Sequence, residues 1–201
     1  MWLDYVFSLL MGISLSAACG LRAFLPLFVL SVSALFGWVE LNQAFDWLGS
    51  PVAATAFGCA VLLEIISDKF PVVDNILDAI GSYVKPIAAT LIVAGVIRDW
   101  DPLLAAIVGL VAGGGTAAAV HIGKAGLRMA STAVTAGLGN VFLSVVEDIA
   151  ALAGSALAVF APVLAAALLV FAFVLAWKAI ARFRGGKRGE ERGGVAAKGG
   201  A

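Results

Sequence analysis

A chain of 201 residues that is 62% hydrophobic and 13% charged, with mean hydropathy +1.05, is too apolar for a soluble domain, where about 45–50% apolar and about 25% charged residues are usual. One histidine and two cysteines exclude a His-rich metal site, and Cys19 and Cys59, each inside an apolar run, match no metal-ligand spacing. The formal net charge of zero is an average over acidic loops and a basic tail. The class expected is all-α, a polytopic transmembrane helical bundle of about seven spans.

The first span is Trp2 to Cys19. Asp4, the lack of Lys or Arg before it, and the apolar sequence that follows at once mark it as retained rather than a cleaved leader. After Gly20-Leu21-Arg22 the second runs from Ala23 to Gly37, and an acidic, Trp-rich loop with Glu40 and Asp46 leads to the third, Pro51 to Ser67. Residues 68–85 are too polar to cross. Val72, Val73, Ile76, Leu77, Ile80 and Val84 recur at helical spacing, with Asp74 and Asp78 on another face, which predicts a short interfacial helix.

Pro86 is expected to open the fourth span, ending before Arg98-Asp99-Trp100-Asp101, and Pro102 the fifth, which passes through Gly113-Gly114-Gly115 to Ile122. The sixth is Gly126 to Asp148. An Ala- and Gly-rich connector over 149–161 precedes the seventh, Pro162 to Ile180. The transmembrane domain therefore covers 1–182, and 183–201, with Lys187, Arg188 and Arg192 but no periodicity, reads as a disordered basic tail. Glu190 and Glu191 interrupt that basic run and it holds no aromatic residue, which argues against nucleic acid as a partner.

If the spans alternate with the amino terminus outside, Arg22, Lys69, Lys85, Lys124, Arg128 and the tail share one side, while Asp4, Glu40, Asp46, Asp99, Asp101, Glu147 and Asp148 share the other with Arg98. The positive-inside rule then makes the carboxyl terminus cytoplasmic. Gly-Leu-Arg occurs at 20–22 and again at 126–128, each between apolar segments, which fits a 3+1+3 internal repeat. A competing geometry makes 5–36 and 105–143 re-entrant hairpins that turn at Arg22 and near Arg128. Either arrangement draws the two arginines toward one centre.

The sixth stretch carries the most polar groups. On a helix Arg128, Ser131, Thr132 and Thr135 share a narrow arc, with Asn140, Ser144 and Glu147 about a third of a turn away. Such a face expects protein or water, and it reads as the lining of a polar cavity. Arg22 precedes Pro26, which cannot donate to the Arg22 carbonyl, so a broken helix beside a guanidinium is expected, a pattern suited to carboxylate or phosphate. The plainer alternative has Arg22 and Arg128 reaching headgroups or pairing with Asp68, Asp74 or Asp78.

Glu64 is the most embedded acid, with Asp68 one turn on. Together with His121 it could relay protons, or the acids could pair with Lys69, Lys124 or Arg128. Glu147 and Asp148 diverge by about 100° on a helix and read as an acidic cap. No H-E-x-x-H, G-x-S-x-G or phosphate loop occurs, and a Ser131–His121 pair has only nearness in sequence behind it, so neither enzyme activity nor a cofactor is expected.

Gly20-Leu21-Arg22-Ala23-Phe24-Leu25-Pro26, Asp68-Lys69-Phe70-Pro71-Val72-Val73-Asp74, and Ser131-Thr132 through Asn140 to Glu147-Asp148 together resemble a family of small bacterial membrane proteins, domain of unknown function 4126. That resemblance implies a bacterial inner-membrane location and no known activity. The function expected is a transporter or channel-like protein for a small anionic or polar solute or a lipid headgroup, with the bilayer as its constant partner and a homo-oligomer left open. The alternatives are a non-transporting scaffold or assembly factor and, further off, an intramembrane enzyme.

Overall fold

The structure, a computed structural model of the chain, describes residues 2–67, 71–135, 138–178 and 181, without the side chains of 71–75, 77–78 and 141. Every regular element among the described residues is helical. In order they are α1 (Trp2–Leu21), α2 (Phe24–Leu35), a 3₁₀ helix (Gln43–Gly49), α3 (Pro51–Ser67), α4 (Pro71–Val96), α5 (Pro102–Val108), a π-helix (Gly109–Gly114), α6 (Gly115–Thr135) and α7 (Leu138–Phe160). The last is α8 (Pro162–Lys178). Pro51, Pro71, Pro102 and Pro162 each occupy a first helical position, where a missing N–H is tolerated. Asp101 caps α5 by accepting from the amides of Leu103 and Leu104.

Four helical stretches are long and apolar enough to cross a membrane: Trp2–Leu21, Ala79–Val96, Pro102–Thr135 and Leu138–Phe160. The Gln43–Gly49 and Pro51–Ser67 pair, bent by 59°, makes a fifth if taken as one span, and Phe24–Leu35 and Pro162–Lys178 are apolar but shorter. The protein is a helical membrane protein. The chain forms two compact units, Met1–Ala166 and Ala167–Ala201. In the second, residues 167–178 are helical, and the basic tail over 183–201 lies outside the described residues.

The centre of the first unit is α1 against α4. Met11, Leu15 and Cys19 pack with Ala89, Ile92 and Val96, joined by Leu27 and Leu30 of α2 and Ala117 of α6. The two run antiparallel, for Gly12 meets Val96 and Val93 while Ser16 Oγ lies 3.4 Å from the Ala89 carbonyl. The π-helix presses directly on α4. A Cβ on Gly109 or Gly113 would stand 2.5 Å from the carbonyl oxygen of Thr90 or Ala89, so only glycine lets these backbones meet.

Three expected boundaries move. Pro86 lies inside α4 rather than opening a span, so the polar stretch and the apolar one form one continuous helix, which forgoes the amide that Pro86 would have donated to the Ser82 carbonyl. Gly126 to Asp148 is not one span. It comprises the end of α6 and the start of α7, which face each other antiparallel across residues 136–137, themselves outside the described residues. The expected connector over 149–161 belongs almost wholly to α7, its Ala-rich sequence being good helix former. Gly126-Leu127-Arg128 thus sits within a helix, whereas Gly20-Leu21-Arg22 ends one, so the two copies of the tripeptide are not local equivalents.

Candidate functional site

The bundle has two dissimilar ends. At one, α1 ends at Leu21, Arg22 and Ala23 leave the helix, and α2 starts at Phe24. The two amides exposed by this break, Ala23 and Phe24, donate to Glu64 of α3, to Oε1 at 2.9 Å and Oε2 at 3.3 Å. Glu64 therefore occupies a helix N-terminus, where a negative charge is favoured. Lys124 and Arg128, two of the partners expected for it, meet Glu147 instead, and the third, Lys69, lies outside the described residues.

Arg22 is 2% exposed. Its Nε lies 2.6 Å from Asp148 Oδ1, and Nη2 donates to Ser144 Oγ at 2.9 Å, so α7 supplies both contacts. Beside it Lys124 Nζ is 2.9 Å from Glu147 Oε2 and donates to the Leu21 carbonyl at 3.2 Å. Arg128 Nη2 reaches the same Glu147 oxygen at 3.4 Å. One carboxylate thus serves two cations. Helix α6 gets close enough because Gly20 has no side chain: a Cβ there would stand 2.5 Å from Val120 Cβ.

This corrects the reading of Glu147 and Asp148 as an acidic cap on the opposite side from the basic residues. Their divergence around α7 directs Asp148 to Arg22 and Glu147 to Lys124 and Arg128, and Glu147 is buried. Arg22 and Arg128 do share one centre, with these acids as partners. Asp68 lies outside the described residues, as do the side chains of Asp74 and Asp78.

The other polar residues of the α6–α7 hairpin bond within it. Asn140 Nδ2 donates to Thr132 Oγ1 at 2.9 Å, the Gly139 amide to Thr135 Oγ1 at 2.9 Å, and the Thr132 and Thr135 hydroxyls to carbonyls one turn back. Ser131 faces Gly139 across the seam. The Asn140 and Gly139 bonds tie α7 to α6 along the stretch predicted to line a cavity, and Thr132 and Thr135 remain exposed there. His121 stands apart from Ser131 and touches Lys85 and Ser82 of α4.

The opposite end is built from loops. Asn42 accepts from the Ala44 amide and donates to the carbonyls of Ile97 and Trp100, while Trp38 stacks on Phe36 at 5.5 Å and meets Phe160 in a tilted contact at 5.4 Å. Asp99 takes a left-handed φ of 61°. A depression of about 810 Å³ opens here, lined among others by Glu40, Asp46, Asp99 and Asp101, with Arg98 paired to Glu40. No cluster of metal-ligating side chains occurs among the described residues.

The family model for domain of unknown function (DUF4126) matches residues 9–182. The chain belongs to this family. The match encloses the charged cluster, the α6–α7 hairpin and the loop end, so both ends belong to the family's shared frame. No curated protein and no solved structure matches the chain. The DUF4126 assignment comes with no activity, which leaves function to the geometry.

Sequence reasoning missed Ser82 and Lys85 as partners of His121, and the pairing of Asp148 with Arg22. The first was within reach: Ser82 and Lys85 lie three apart, on one helical face. The second was not, since 122 residues separate even Arg22 and Ser144.

Proposed function

We propose that the protein is a transporter of the bacterial inner membrane for a small anionic or polar solute or a lipid headgroup, with the charged cluster as its gate. The observation behind this reading is the break at Arg22, whose free amides are taken by Glu64 of α3 and which is flanked by ion pairs from α6 and α7. Helix α7 has 23 residues, about 35 Å at 1.5 Å per residue, a full span. Ser144 and Asp148 then lie roughly 9 and 15 Å in from its start. Ionisable groups at such depth are costly and mark solute or ion pathways, and a buried ion pair adds little stability over apolar residues. An anionic solute competing with Asp148 for the Arg22 guanidinium would loosen α7 from the α1–α2 break.

Charge supports an orientation. The gate end carries Arg22, Lys85, Lys124 and Arg128, the loop end only Arg98 among the described Lys and Arg of Trp2–Phe160, which by the positive-inside rule favours a cytoplasmic gate and an outside amino terminus. Flux in proteoliposomes against a panel of anions and polar solutes tests the function. Arg22→Gln should cut flux at least tenfold and Arg22→Lys less. A second reading, a non-transporting scaffold, is favoured by the near-complete burial of Arg22 against Asp148 and Ser144. Absence of flux for every solute with folded wild-type protein would select it.

A further inference from the structure

Glu64 differs from the other acids at the gate end in what holds it. Glu147 is shared by Lys124 and Arg128, and Asp148 faces Arg22, so a proton on either takes the counter-charge from a cation. Glu64 meets backbone: Oε1 accepts from the Ala23 amide at 2.9 Å and Oε2 from the Phe24 amide at 3.3 Å. Among the described residues no Lys or Arg nitrogen reaches it at ion-pair distance. The carboxylate stands about 20 Å along α3 from Pro51, well inside a hydrocarbon core of about 30 Å if α3 starts at its edge. Leu62, Leu63 and Ile66 around it are all more than half exposed, and Glu64 itself is only partly buried. Ionisable groups so placed mark proton or ion pathways.

We propose that Glu64 is a proton-binding site that joins α3 to the α1–α2 break while ionised and loosens that joint when protonated. A proton from water adds to Oε2, and no covalent bond breaks. The acid keeps Oε1 as acceptor for Ala23 and gives up the longer bond to Phe24. The start of α2 then loses the negative charge that offsets its exposed amides. Three consecutive residues divide the work: the Arg22 side chain reaches α7, while the Ala23 and Phe24 amides reach α3. The break is thus the joint between those two helices, and the proton acts on its α3 side. Cys19 Sγ, which donates to the Ala23 carbonyl at 3.6 Å, keeps residue 23 tied to α1 when α3 lets go.

The charged and titratable groups around Glu64 come from three elements. From α1 comes Cys19, within electrostatic reach of Glu64, and from α4 Lys85, within reach of the same thiol. Arg22, at the break, turns its guanidinium to α7. Helix α2 carries no titratable residue, and the 3₁₀ helix packed on α3 brings only Asp46, at the loop end. On α3's own continuation, Asp68 and Lys69 lie outside the described residues and enter through the test below. The site goes beyond the transport reading and does not depend on it.

Glu64→Gln makes the test direct, because Gln keeps one carbonyl oxygen for the Ala23 amide and cannot take the proton. In full-length protein in nanodiscs, infrared difference spectra between about pH 8 and about pH 5 should show the carbonyl band of a protonated carboxyl that Glu64→Gln lacks, surface carboxyls cancelling between the two proteins. Amide exchange over residues 22–25 then reads the joint. At about pH 8 it should be about fivefold slower in the parent than in Glu64→Gln, the worth of one hydrogen bond, and at about pH 5 the two should converge. Lys69→Met should leave the infrared profile in place. A missing Glu64 band, a band equal at both pH values, or equal exchange at about pH 8 overturns the proposal. So does a profile displaced to higher pH in Lys69→Met, which would assign Glu64 to an ion pair.

Discussion

The two ends of the bundle are held by different chemistry. At the loop end, a neutral side chain, Asn42, satisfies backbone carbonyls, and Ser31 donates to the Leu48 carbonyl. At the gate end, full charges meet full charges, between distant parts of the chain in Arg22–Asp148 and between consecutive helices in Lys124–Glu147. Neutral bonds to carbonyls do not respond to anions or protons, whereas ion pairs can be traded for a competing ion. If the charged end gates a solute as proposed, the loop end is the platform it moves against.

Breaking the gate end should have the largest effect. Glu147→Leu strands Lys124 and Arg128 without their shared carboxylate and should cost about 3–5 kcal/mol, read as a fall in unfolding midpoint in detergent micelles. Replacing both partners, Arg22→Met with Asp148→Leu, should cost far less than the two single changes summed, because no charge is left alone. At the loop end, Asn42→Ala removes the donor from two carbonyls and should cost about 1–3 kcal/mol. Its cost should be the same at every mildly acidic or neutral pH, since no ionisable group is removed.

The hairpin comes next. Asn140→Leu removes the bond to Thr132 and should cost about 0.6 kcal/mol, the usual worth of such a bond between membrane helices. Least affected should be Arg98→Gln, since Glu40 is exposed and the pair sits at the surface; a change above about 1 kcal/mol would show that the loop end also depends on charge. A single denaturation series reads them all.

The sequence announces some of this and hides the rest for identifiable reasons. The Arg22 break is legible because Pro26 withholds a donor and Gly20 and Arg22 interrupt the apolar run. Helix starts at Pro51 and Pro102 are legible too, but the same rule misplaces Pro86, where tertiary packing carries the helix through. The polar face of Ser131, Thr132, Thr135 and Asn140 has the periodicity of a cavity wall and equally of a helix–helix zipper. Only the partner distinguishes them, and the partner lies across residues 136–137. The acids at 147 and 148 look like a surface pair because adjacent residues on a helix point apart; here Asp148 meets Arg22 and Glu147 meets both Lys124 and Arg128.

The hairpin charges also bear on how the chain enters a bilayer. Lys124 and Arg128 lie on α6 and their acid, Glu147, on the next helix, so neither helix is a comfortable passenger for the translocon alone. Together they form a packet in which much of the charge is already matched, and α6 and α7 are expected to partition as one unit. Arg22 is different. It emerges with the first helix and meets Ser144 only 122 residues later, so its contacts on α7 can form only once nearly the whole bundle has been made.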